Sequence, residues 1–241
     1  MRRMLTICSR ELGSYFRTPA GWIITALFLF ISGVVVWLTA LTPGQPASLR
    51  AYFDLCGWLL LPIAPAVTMR LIAEEMRSGT IETLLTSPVS AAELVVGKFL
   101  GACMFVGCAA LPTLGYVALL YAFADPAPDR GAIAAGYASL ALLAALYLAI
   151  GTLCSALTNN ATLAFMMCFF ALLALLFAGV AAAMDWVPEG VKPSLYALAV
   201  APRVQDFAKG VVDLSHVTYF LGGSLICLSV AVAAVEFRRW R

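Results

Sequence analysis

Long apolar runs broken by short polar stretches organise this chain from end to end. Crossing roughly 30 Å of hydrocarbon at 1.5 Å per helical residue takes about 20 apolar residues. Six runs meet that length: 20–41, 52–73, 94–123, 131–157, 161–184 and 217–235. Lipid offers no partner for backbone N–H and C=O, so runs of this length are read as helices; barrel strands would be half as long and would alternate. Local signals agree with these limits. Thr18-Pro19 reads as an N-cap with proline at the first helical position, and Ser90-x-x-Glu93 ahead of Leu94 as a capping box. Thr158-Asn159-Asn160 is a tight polar turn joining spans four and five, and Pro62, Pro65 and Pro112 lie inside spans, where they kink them. The fold class is therefore all-α: a polytopic membrane protein whose 241 residues form one transmembrane domain.

Composition supports lipid as the solvent. Apolar residues make up 63% and charged residues 12%, about half the charge of an ordinary soluble domain. A net charge of +2 gives no footprint for nucleic acid, so the placement of charge matters more than its sum. Six spans put both termini, the 74–93 connection and the 158–160 turn on one side. That side carries Arg2, Arg3, Arg10, Arg17, Arg70, Arg77, Lys98, Arg238, Arg239 and Arg241; the other carries Arg50, Arg130, Lys192, Arg203 and Lys209. The positive-inside rule then places both termini in the cytoplasm. The acids show no such bias. Seven cysteines, an odd number without C-x-x-C spacing, read as small hydrophobes packed between helices.

Outside the spans, residues 1–17 read as an amphipathic interfacial helix, with Met4, Leu5, Cys8, Leu12, Tyr15 and Phe16 on one face. The 74–93 connection is the longest cytoplasmic segment. Within it Ser78-Gly79 or Thr80 can cap a short helix, Pro88 ends it, and Ile81, Leu84 and Leu85 make one apolar face. Two turns are marginal alone in water, so packing under the bundle, a partner protein, or both must hold them. The segment 185–216 is too apolar for a plain loop. It reads as short helices that either cap the outer mouth of a pathway or pack as a re-entrant hairpin.

Candidate chemistry is sparse. No span carries an ionisable residue near its middle, which disfavours an ion-coupled carrier. His216, the single histidine, stands at the outer edge of span six. The sequence holds no H-E-x-x-H, G-x-S-x-G or Walker A pattern, which disfavours an intramembrane enzyme. Gly97-x-x-x-Gly101 permits close helix packing but is common by chance in so glycine-rich a chain. Any energy the protein uses comes from elsewhere.

The string Glu74-Glu75-Met76-Arg77-Ser78-Gly79-Thr80-Ile81-Glu82-Thr83-Leu84-Leu85-Thr86-Ser87-Pro88-Val89, continuing to Gly97-Lys98-Phe99, resembles the first cytoplasmic loop of ABC-2-type ABC transporter permeases. Arg10-Glu11-Leu12 with Tyr15-Phe16-Arg17-Thr18-Pro19 is similar to the lead into that family's first span, and Ser155-Ala156-Leu157-Thr158-Asn159-Asn160 to its turn between spans four and five. Phe207-Ala208-Lys209-Gly210-Val211-Val212-Asp213-Leu214, then Val217-Thr218-Tyr219-Phe220, resembles the gliding-motility-associated subgroup; His216 departs from it, where a charged residue is frequent. The resemblance implies a half-transporter. A second permease copy or paralogue would stand beside this one and a cytoplasmic ABC ATPase dimer below, with ATP-Mg bound by the ATPase and no cofactor or catalytic residue here. It also implies that Thr80–Ser87 is the coupling helix. Ile81, Leu84 and Leu85 would then pack in the ATPase groove or against the bundle, and Glu75, Arg77 and Glu82 would pair with polar groups at its rim. Glu74, Ser78, Gly79, Thr80, Thr83, Ser87 and Pro88 complete the coupling set. The N-terminal helix would be the connecting helix, and a membrane-anchored extracytoplasmic subunit is a further implied partner. A module that passes ATPase motion to a periplasmic partner without transport fits the sequence nearly as well.

Overall fold

The structure, a computed structural model, describes residues 2–42, 48–79, 90–124, 128–185 and 187–239. Every described regular element is helical. In chain order these are α1 (Arg2–Arg17), α2 (Pro19–Ala40), α3 (Arg50–Thr68), α4 (Ala73–Arg77) and α5 (Ala91–Ala110). A 3₁₀ turn over Leu111–Thr113 leads to α6 (Leu114–Phe123), α7 (Arg130–Leu157) and α8 (Ala161–Ala182). Two short helices, α9 (Lys192–Leu198) and α10 (Ala201–Ala208), precede α11 (Leu214–Arg239). Six helical stretches are long and apolar enough to cross a membrane, as the apolar runs predict. We call them spans one to six.

Span four, α7, is the hub. It packs against α3, α5, α8, α10 and α11 and is the most buried of the six, whereas spans one, five and six turn most of their surface outward. Small residues let its neighbours approach. A Cβ at Gly136 would lie 2.1 Å from the Phe53 ring, and one at Gly151 would lie 2.1 Å from the Thr68 hydroxyl. Arg238 at the end of span six donates to Asn159 Oδ1 (2.6 Å) and the Leu157 carbonyl (3.0 Å), tying the C-terminal helix to the turn between spans four and five.

The predicted capping box is present: the Ser90 hydroxyl accepts from Glu93 N–H, and the Glu93 carboxylate accepts from Ser90 N–H. Pro19 does open α2, but the Thr18 hydroxyl donates back to the Tyr15 carbonyl rather than capping. Span three breaks at Pro112, which has no N–H to offer the Cys108 carbonyl, and a 3₁₀ turn over Leu111–Thr113 carries the chain past the break from the Ala110 cap. The Thr113 hydroxyl donates to the Ala110 carbonyl (2.6 Å), which uses its one proton. Its lone pairs accept from the Tyr52 and Tyr137 phenols, both at 3.0 Å, so one threonine locks spans two, three and four together.

At the end away from the termini, α9 lies along α8, and α10 lies across α7 and α3 with Val204, Phe207 and Ala208 buried. Arg203 holds this pair: its guanidinium donates to the carbonyls of Ala197 and Ala199 and stacks 4.0 Å over the Tyr219 ring. The segment 185–216 thus contains the two short helices its apolar content predicts.

Candidate functional site

Span two was read as ending at Ala73, but α3 ends at Thr68. Residues 69–72 form turns, and α4 follows as a separate short helix. A helix that breaks here exposes backbone groups that need partners. Three neighbouring elements supply them. The Tyr15 phenol of α1 donates to the Val67 carbonyl (2.9 Å). Ser155 of α7 accepts from Ile72 N–H and Ala73 N–H, both at 3.1 Å, and its own proton points to the Met69 carbonyl (3.3 Å). Lys98 of α5 donates to the Leu71 carbonyl (2.5 Å).

Lys98 is the centre of this arrangement. Its side chain is only 3% exposed, and its ammonium lies 2.9 Å from Glu75 Oε1 on α4 and 3.7 Å from Glu11 Oε2 on α1. Arg10 approaches the same Glu75 oxygen at 3.8 Å. A desolvated lysine is costly unless several oxygens replace its water, and here two carboxylates and a carbonyl do so. The charges therefore join α1, α4 and α5 at one point. Burial pushes the Tyr15 phenol well above its ordinary range, with the Glu11 carboxylate adding to the shift, so it stays a donor. A cleft of about 420 Å³ opens beside the cluster, between the α1–α2 turn and the base of span two.

α1 reaches this position by lying along α5 on Gly97 and Gly101. A Cβ at Gly97 would come 3.1 Å from Ile7 Cβ and the Met4 carbonyl, and one at Gly101 would come 2.8 Å from Glu11 Cβ. The Gly97-x-x-x-Gly101 spacing, unremarkable by frequency alone, is the seat of the N-terminal helix. The Tyr15 ring stacks on Phe105 with centroids 4.7 Å apart. One residue of the predicted apolar face is misplaced: Leu5 is 61% exposed, while Ile7 and Glu11 turn inward.

Of the predicted coupling residues, Glu74, Arg77, Ser78 and Gly79 are exposed, with Glu74 4.0 Å from Arg70. Glu75, expected at the rim, faces Lys98 because the turn at 69–72 rotates α4 toward the bundle. Ser78 and Gly79 close α4; the following helix that they or Thr80 were expected to cap lies outside the described residues. Ser78 N–H bonds to the Glu74 carbonyl, and Gly79 takes φ +70°, where glycine carries no Cβ penalty. Thr80, Ile81, Glu82, Thr83, Leu84, Leu85, Ser87 and Pro88, with the predicted coupling helix, lie outside the described residues.

The fold and the charged root of the 78–90 connection define a polytopic helical membrane protein with an ion-paired node where the chain leaves span two. Residues 57–195 match the model of a family described as ABC-2 family transporter protein, more than half of the chain, and the chain belongs to that family. Two curated relatives both carry the name "Probable ABC transporter permease protein NosY". The one from Pseudomonas aeruginosa is 32% identical over 120 residues, 47% of this chain and 44% of the relative. The one from Stutzerimonas stutzeri is 29% identical over 128 residues, 51% of this chain and 46% of the relative. Each match therefore spans about half of this chain and under half of the relative.

Proposed function

We propose that this chain is the permease subunit of an ATP-driven ABC-2-type transporter in a bacterial inner membrane. It works beside a second permease and above a cytoplasmic ATPase dimer that binds ATP-Mg and carries out hydrolysis. Both termini and the 74–93 connection face the cytoplasm, in line with the ten-to-five division of cations. The family and the permease names of the relatives support the class.

The observation that carries the mechanism is the braced root of the loop. A push on residues 80–89 reaches α4 first. Through Glu75 and Lys98 it passes to α1 and span three, and through the Ser155 hydroxyl to the hub, span four. Each link is a hydrogen bond or ion pair, so α4, α1, span three and span four respond together. Ile81, Leu84 and Leu85 supply the apolar face for the ATPase, and Arg77 and Glu82 its polar rim. The likeness of Phe207–Leu214 to gliding-motility-associated permeases supports an additional extracytoplasmic subunit.

Co-expression with the neighbouring ATPase and purification from the membrane tests this reading. Leu84→Glu and Leu85→Glu leave the helical circular-dichroism signal and yield unchanged while abolishing stimulation of the ATPase by the permease. Unchanged ATPase binding and unchanged stimulation in both variants would contradict it.

A further inference from the structure

Pro112 has a second effect, away from the cytoplasmic end. Below the break α5 packs against α7; above it α6 leans toward α2 and leaves α7. The two spans part, and a groove opens between them. Two cavities of about 290 and 460 Å³ occupy it and meet at Leu114 and Tyr137. In the lower part Val106, Leu140 and Ala144 are buried, and Gly107 and Ala141 lie at the open edge. A Cβ at Gly107 would meet nothing within 4 Å, so the space beside it is empty. The upper part runs past Ile133 to Tyr121 and Arg130.

The chemistry changes along this groove in one direction. Its lower portion is lined by apolar side chains and its mouth by an arginine and a tyrosine, whose ring lies 5.9 Å from the guanidinium. Arg130 is exposed and makes no ion pair among the described residues. As the first residue of a 28-residue helix, it also adds a cation to the positive end of a helix dipole, a placement that favours an anion nearby. The adjacent Asp129 does not line this mouth: its carboxylate caps the helix by accepting from Gly131 N–H (2.8 Å) and lines a different cleft. From Arg130 to Ala145 the helix rises roughly 22 Å, close to the depth of one leaflet with its headgroups.

We propose that this groove is a phospholipid site on the membrane side away from the termini, with an acyl chain along Gly107, Ala141 and Ala144 and the headgroup phosphate on Arg130. Tyr121 flanks the phosphate at headgroup depth, where aromatic rings are favoured. Anionic phosphatidylglycerol fits best, since it supplies both the phosphate and an uncompensated negative charge.

Native mass spectrometry of the full chain, delipidated in detergent and titrated with phosphatidylglycerol, tests the site. Wild type retains one tightly held lipid per chain. Gly107→Leu, whose side chain starts into open space, removes it; Arg130→Gln weakens it about tenfold, the loss expected for one charge-assisted hydrogen bond; Arg130→Lys restores it. Ile226→Ala on the outward face of span six leaves retention unchanged, which separates the site from general surface lipid. Should Gly107→Leu fail to fold, the Arg130→Gln and Arg130→Lys pair decides alone. Equal retention across the Arg130 variants would overturn the proposal. So would a cysteine at Gly107 that cross-links to the same cysteine of another copy, because a second chain would then cover the groove.

Discussion

Lys98 offers a quantitative test of how the root of the loop is held. Replacing Lys98 by Met keeps the aliphatic stem and removes the ammonium. Glu75 and Glu11 lose their shared cation, at 2.9 and 3.7 Å, and the Leu71 carbonyl loses its donor. Breaking a buried pair from one side costs about 3–5 kcal/mol; the lower end applies here, since the two carboxylate side chains retain 17–18% exposure. Glu75→Gln keeps a hydrogen-bonding oxygen and leaves Lys98 with Glu11, so its cost falls to about 1–3 kcal/mol. In the double variant both members of the 2.9 Å pair are gone and only Glu11 still lacks its cation, so the loss is smaller than the sum of the two by about 2 kcal/mol. Denaturant unfolding in detergent micelles, followed by Trp fluorescence, measures all four corners of the cycle. Single-variant losses that add to within about 0.5 kcal/mol would refute the pairing, because independent sites behave that way.

Two other perturbations probe the contacts around this node. Gly101→Leu drives a side chain into Glu11, so α1 lifts off span three. Cys8, 4% exposed and with its thiol pKa raised by burial, then reacts with maleimide about tenfold faster, as mass spectrometry of the labelled peptide will show. Thr113→Val leaves the Tyr52 and Tyr137 phenols and the Ala110 carbonyl without their shared partner. A loss of about 1–3 kcal/mol in the same unfolding assay follows, with Thr113→Ser recovering most of it.

The six spans were legible because lipid imposes one length and one composition on every crossing segment, and the runs from Pro19 to Arg238 satisfy both. The capping box at Ser90 was legible because its two partners stand three residues apart. The break at 69–72 was not. Pro62 and Pro65 signal a kink higher up, but the groups that stabilise the break are Tyr15, Lys98 and Ser155, which lie far away in sequence. No local pattern announces a partner that far off. Glu75 read as a rim residue for the same reason, since its direction depends on that turn. Gly97 and Gly101 carried a usable signal: their spacing marks a face where another backbone can approach, although not that the visitor is the chain's own N-terminal helix. A lysine about one turn inside the third apolar run was the clue to the charged node, because a buried cation requires acids nearby.

Photo-crosslinking from Leu84 in intact inner membranes, with the ATPase co-expressed, tests the central claim most directly. If force enters this bundle through the loop between spans two and three, a benzophenone at that position attaches to the ATPase from the cytoplasmic face. Reaction of the same position with a membrane-impermeant reagent added outside the membrane, or the absence of any product with the ATPase in an assembled complex, would contradict the account.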